Sequence, residues 1–144
     1  MKRLLRNRRG SSSLLFFGLL FLLLVLCILI VEMGGVMENY DYAMSVLQRS
    51  ANSAVEASMA DEYRADHILR LNVEEAKTAF RAFTAEDMPD RYDLRIQTVS
   101  GTVSPPSLRA AGTLTFPTLF SQFGFRDVTV RFTVEATNFA VDGR

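Results

Sequence analysis

The sequence predicts an α+β fold in which a long N-terminal transmembrane and stalk helix precedes a short helix and a small three-stranded antiparallel sheet. Three observations support this prediction. Residues 14–31 carry no charge and are apolar except at Gly18. Apolar residues then recur at spacings of three and four to about residue 60, and from Tyr92 they recur at every second position. These patterns are typical of a bilayer span, an amphipathic helix and half-buried strands, respectively.

The apolar run is long enough to cross a bilayer and follows a strongly basic flank. With three preceding serines, residues 11–31 give 21 uncharged positions, and a spanning helix needs about 20. Residues 1–10 carry five basic side chains, whereas residues 32–144 have a net charge of −5. Because positive flanks stay in the cytoplasm, we expect residues 1–10 to form a cytoplasmic leader and residues 71–144 an extracytoplasmic α+β domain.

The run is predicted to remain with the protein as a single-pass anchor in the cell membrane. A secretory signal has a shorter apolar core and a cleavage site with small residues. Glu32 and Met33 stand where those small residues would be needed. Cys27, the one cysteine of the chain, lies inside the run, and we expect it to behave as a small hydrophobic side chain.

Residues 32–70 predict an amphipathic stalk that continues the span, with its helix reaching about Ala60. Gly34 and Gly35 mark a place for a kink, because each glycine costs about 1 kcal/mol relative to alanine inside a helix. A helix-packing face is predicted from four residues, Leu47, Ala51, Ala54 and Val55. Its small alanines suit the close approach of another helix, but the same face would equally cover the protein's own sheet.

A second, shorter helix is predicted after residue 71. Asn72 is a suitable N-cap, and Glu75 lies three residues later, as in a capping box. Ala76, Phe80 and Phe83 then form an apolar stripe at helical spacing. We expect this stripe to pack into the core.

Three strands are predicted in the remainder of the chain. The inward positions of the first are expected to be Tyr92, Leu94, Ile96 and Thr98, and those of the second Leu108, Ala110, Gly112, Leu114 and Phe116. The third alternates cleanly from Val128 to Ala136. Residues 100–107 read as a turn, Pro117 ends the second strand, and residues 118–127 form a partly apolar connection.

The sequence contains no arrangement typical of an enzyme. His67, the one histidine, has acidic neighbours but no second His or Cys ligand outside the apolar run, so we expect a solvated helix face there. No glycine-rich phosphate loop or nucleophile–base order is present. We therefore expect no catalytic site, metal, cofactor or small-molecule substrate. The basic flank is read as a topology signal rather than a nucleic-acid site.

The order of these parts resembles the TadE-like pseudopilins of tight-adherence (Tad) pilus systems, within the type IV pilin-like group. The stretch "RRG" at residues 8–10 is similar to the end of a leader. The stretch "ILIVEMGG" at residues 28–35 is similar to the step after the span, with Glu32 and Gly34 in the matching places. Residues 44–60 are similar to the Ala-rich stretch that follows. The resemblance implies a pilin-like fold and cleavage between Gly10 and Ser11.

The resemblance further implies a minor pseudopilin, a structural component of Tad or type IV-like pilus assembly. Its partners would be the lipid bilayer, other pilin-like subunits, the assembly platform and a prepilin peptidase. The fifth residue after the implied cleavage is Leu15, where pilin-like precursors usually have glutamate. This fits a minor, tip or initiating subunit, or an uncleaved anchor. The alternative is a single-pass membrane protein whose extracytoplasmic domain binds a partner unrelated to pili.

Overall fold

A computed structural model describes residues 8–59 and 70–138 of the chain, and it has the predicted order of elements. The helices are α1, Arg8–Ala57, and α2, Val73–Asp87. The strands are β1, Asp93–Thr102, β2, Ser107–Phe116, and β3, Val128–Thr137, with a short 3-10 helix, Leu119–Phe123, between β2 and β3. The strands form one antiparallel sheet in the order β1-β2-β3.

Helix α1 is a continuous helix of 50 residues, about 75 Å long at 1.5 Å per residue. Its apolar half, residues 12–31, is exposed throughout, and the helix is long and apolar enough to cross a bilayer. The helix continues through Gly34 and Gly35 because no proline or competing cap interrupts it. It ends at Ala57, close to the expected Ala60. His67 and its acidic neighbours lie outside the described residues.

Helix α2 begins where its sequence predicts. The side chain of Asn72 accepts a hydrogen bond from the backbone N–H of Glu75 over 3.3 Å and donates one to Glu75 Oε2 over 3.1 Å. Glu74 and Glu75 lie in the first turn, where the helix dipole favours negative charge. The stripe packs inward, with Ala76 and Phe80 fully buried.

The sheet packs one face against the two helices. Helix α1 lies across β3 and β2, and α2 lies across β1. In β2 and β3 the expected inward residues are the buried or half-buried ones. Phe80 of α2 and Phe116 of β2 are both fully buried, and burial of a side chain of this size stabilises a fold by about 2–3 kcal/mol. The core is therefore shared by α1, α2 and the sheet.

Strand β1 departs from the predicted alternation at one residue. Ile96 pairs with Gly112 and Thr98 with Ala111, which leaves Gln97 as the extra residue of a β-bulge. Because a bulge shifts the alternation by one position, Val99 packs against the core while Thr98 is exposed. The prediction that Thr98 points inward is therefore wrong.

The two ends of the sheet lie at different levels along α1. At one end the backbone N–H of Leu119 donates to Glu32 Oε2. At the other end Met59 forms an isolated bridge with Leu71, whose N–H donates to the carbonyl of Val103 over 3.2 Å. We call the end beside Glu32 the proximal end, because it adjoins the apolar half of α1, and the end beside Val103 the distal end.

Candidate functional site

The candidate site is the junction where the apolar half of α1 enters the domain. Glu32 is the first charged residue after the apolar run, and its Oε2 accepts a hydrogen bond of 3.1 Å from the backbone N–H of Leu119. This bond is accessible to solvent, so its contribution to stability is about 1 kcal/mol. One carboxylate thus ties the connection between β2 and β3 to the helix.

A groove of about 640 Å³ lies beside this hydrogen bond. Gly34 and Gly35 line it on α1, and Pro117 and Thr118 line it on the sheet side. No heavy atom outside the helix's own backbone lies within 4 Å of a Cβ placed at either glycine, so the missing side chains leave the groove open. Glu32 and Gly34, the two residues singled out after the span, both line this groove.

Tyr92 joins the proximal end of the sheet to α1 just above this groove. Its hydroxyl donates to Asn39 Oδ1 over 2.8 Å and accepts from Arg91 Nη2 over 3.0 Å. Its ring is stacked with that of Tyr42 at 6.1 Å and meets that of Phe116 edge to face at 6.1 Å. Polar and aromatic contacts therefore fix the height of the sheet relative to the helix.

The predicted processing residues lie far from the junction. Gly10 and Ser11 belong to the N-terminal part of α1, roughly 33 Å from Glu32 along the helix axis at 1.5 Å per residue. The apolar run separates the two places. They are therefore expected on opposite sides of a bilayer, and cleavage between Gly10 and Ser11 stays a prediction.

The predicted helix-packing face is used inside the protein. Its residues are Leu47, Ala51, Ala54 and Val55, which are 0, 0, 0 and 2 % exposed, respectively. They belong to the core shared with α2 and the sheet. The face is therefore covered within the chain, by α2 as well as by the sheet, and its buried residues leave no surface there for a second chain.

The sequence predicted a partly apolar connection at the junction but not the exposure of its apolar side chains. The connection between β2 and β3 carries three exposed apolar side chains, Leu119, Phe123 and Phe125. The three phenylalanines within residues 117–125 are the sequence signal that could have found this exposure. Connections are usually polar, so this composition is unusual for a surface segment.

Within residues 8–59 and 70–138 no cluster of three or more His, Cys, Asp or Glu side chains is placed to hold a metal ion. Comparison with known proteins gives no relatives: no protein-family model, no curated protein and no solved structure matches the chain.

Proposed function

We propose that the protein is a minor, TadE-like pseudopilin, a non-enzymatic structural component of Tad or type IV-like pilus assembly. Residues 11–31 anchor it in the cell membrane, with the N-terminus in the cytoplasm and the α+β domain outside. The observation that carries this proposal is the division of α1 into two halves. The apolar half is exposed to its surroundings, and the second half contributes buried residues to the domain's core.

This division suits a subunit that assembles through its helix. The exposed side chains of residues 14–31 are free to meet either lipid or the helices of neighbouring subunits. Exchange between the two costs little, because lipid tails and leucine side chains are equally apolar. Small differences in packing can then decide whether the subunit stays in the bilayer or joins an assembly.

The continuity of α1 adds a second argument. No flexible linker separates the apolar half from the domain, because α1 is helical from Arg8 through Glu32 and on to Ala57. The contacts of Glu32 and Tyr92 hold the sheet at one height along the helix. A movement of the apolar half along the membrane normal would therefore carry the domain with it, as extrusion of a pilin-like subunit requires.

Photo-crosslinking in the native cells tests the proposal directly. A photoreactive residue at Leu22, in the exposed apolar half, is expected to capture other single-pass proteins with pilin-like N-terminal segments. The matched control carries the same residue at Thr133, which is exposed on the outer face of the sheet. Capture from Thr133 but not from Leu22 would contradict the proposal and favour the partner-binding domain unrelated to pili.

Mass spectrometry of the purified protein tests the processing step. A mature chain that begins at Ser11 is the expected result in cells that possess a prepilin peptidase. A Gly10→Leu variant serves as the control and should retain the leader. An intact leader on the unmodified protein in such cells would instead indicate a permanent, uncleaved anchor.

A further inference from the structure

The connection between β2 and β3 exposes a local group of three large apolar side chains. Leu119, Phe123 and Phe125 are 48, 72 and 67 % exposed. Among the described residues outside α1 they are three of the four exposed large hydrophobic side chains, and Val103 at the distal end is the fourth. Scattered apolar residues are normal on a protein surface, but a local group indicates a contact with an apolar partner.

The connection is held in shape by its own contacts. The backbone N–H of Thr118 donates to Ser121 Oγ over 3.0 Å, and the N–H of Gly124 donates to the carbonyl of Ser121 over 3.0 Å. Gly124 has φ of +88°, a conformation that glycine adopts without strain. The rings of Phe120 and Phe125 meet edge to face at 5.6 Å. The exposed rings are therefore displayed by an ordered turn.

The level of this connection relative to the span follows from the hydrogen bond between Leu119 and Glu32. Residues 14–31 are about 27 Å long as a helix, close to the thickness of a bilayer's hydrocarbon core, about 30 Å. Glu32 thus lies at the outer boundary of the hydrocarbon. The 3-10 helix carries Phe123 no more than roughly 8 Å from Leu119, so Phe123 stays close to this boundary.

The direction of the connection is set by the sheet. Strand β2 runs toward the proximal end and β3 runs away from it, since Phe116 and Val128 pair there. The residues between them therefore project beyond the strands on the side of the apolar half of α1. In contrast, the turn between β1 and β2 lies at the distal end with Val103.

We propose that Leu119, Phe123 and Phe125 insert into the interfacial region of the bilayer that α1 crosses, as a second membrane contact of the domain. This inference rests on the membrane anchorage in the proposed function. Phenylalanine and leucine on a surface element bury their apolar faces at the boundary between headgroups and acyl chains. A single helix leaves the domain free to tilt relative to the membrane plane, and this second contact restricts that tilt.

Tryptophan fluorescence of the full-length protein in phospholipid vesicles tests the inference, because the chain has no tryptophan of its own. Three single variants are compared: Phe123→Trp in the connection, Val103→Trp at the distal end and Phe21→Trp in the apolar half of α1. All three positions are exposed, so each accepts the larger ring. Quenching is measured with phosphatidylcholine brominated on its acyl chains, and it does not depend on which way the protein inserts.

The expected result is strong quenching of Phe21→Trp, clear quenching and a blue-shifted emission of Phe123→Trp, and no quenching of Val103→Trp. Quenching of Phe21→Trp alone would overturn the second contact while leaving the anchorage intact. Failure to quench Phe21→Trp would instead overturn the anchorage itself. If Phe123→Trp is blue-shifted but unquenched, and the shift disappears as the protein is diluted in the vesicles, a second copy covers the connection and the inference is wrong.

Discussion

At the scale of single residues, Ser50 is a polar group that α1 buries without a partner. Its side chain is 1 % exposed, and its Oγ has no hydrogen-bond partner among the described residues. A buried unsatisfied hydroxyl costs about 1–3 kcal/mol, and alanine is a better helix former. Ser50→Ala is therefore expected to raise the free energy of unfolding by about 1 kcal/mol, as measured by urea denaturation in detergent.

Ser45→Ala is the matched control for that change. Ser45 lies on the same helix but is exposed, and its Oγ donates to the carbonyl of Tyr42 over 2.7 Å. Removal of this hydroxyl should change the free energy of unfolding by less than about 0.5 kcal/mol. Equal effects of the two substitutions would show that burial of the Ser50 hydroxyl carries no cost.

Gly112 is the residue at which the sheet tolerates no side chain. A Cβ there would lie 2.2 Å from the carbonyl oxygen of Arg95 and 3.0 Å from the ring of Phe132. Because the first of these is backbone beside the Gln97 bulge, it cannot move without loss of strand pairing. Gly112→Ala is expected to lower the free energy of unfolding by about 3 kcal/mol.

Gly34→Ala is the control for Gly112→Ala, with the same chemical change at an open position. It should stabilise α1 by about 1 kcal/mol. The two variants are compared by thermal unfolding in one detergent. A Gly112→Ala variant as stable as the unmodified protein would mean that β1 and β2 lie farther apart than the structure has them.

At the scale of elements, the second half of α1 forms one side of the domain's hydrophobic core. Ala51 is fully buried there, so Ala51→Glu would place a charge among apolar side chains, which costs several kcal/mol. We expect loss of the folded domain, detected as rapid cleavage of residues 71–144 by protease in detergent. The apolar half of α1 should still partition with membranes.

Arg49→Glu is the control on the opposite face of the same helix. Arg49 Nη2 pairs with Asp87 Oδ2 at 3.0 Å, but the two side chains are 65 and 39 % exposed. Loss of such a surface pair costs about 1 kcal/mol or less, and the domain should remain resistant to protease. Equal sensitivity of both variants would contradict the assignment of Ala51 to the core.

At the scale of the whole molecule, the basic flank and the apolar run set the expected topology. In a Cys27→Ser background, Thr98→Cys offers an exposed thiol on the domain, and Ser12→Cys offers one at the start of the apolar run that cleavage after Gly10 would not remove. An impermeant thiol reagent added to intact cells, after any outer barrier is removed, should label Thr98→Cys and not Ser12→Cys. The positive flank is retained in the cytoplasm, so the reverse labelling would contradict the proposed orientation.

Much of the fold could be predicted because local patterns and tertiary structure agree. The capping residue Asn72 starts α2 as expected, and the alternation in β2 and β3 matches the buried positions. The prediction fails at Gln97, because a bulge arises from the pairing of two strands rather than from the strand's own sequence. The part of the candidate site that lies on α1 could also be predicted, since Glu32 directly follows the apolar run.

The sequence by itself determined the apolar run, the charge asymmetry and the types of the helices and strands, because each depends on neighbours within a few positions. Only the tertiary structure decided what covers the alanine-bearing face of α1, since another helix and the protein's own sheet satisfy the same spacing. It also decided that Leu119 donates to Glu32 and that residues of the segment 117–122 line a groove with Gly34. These two segments are more than eighty residues apart in the chain, and only the packing of the sheet against α1 brings them together.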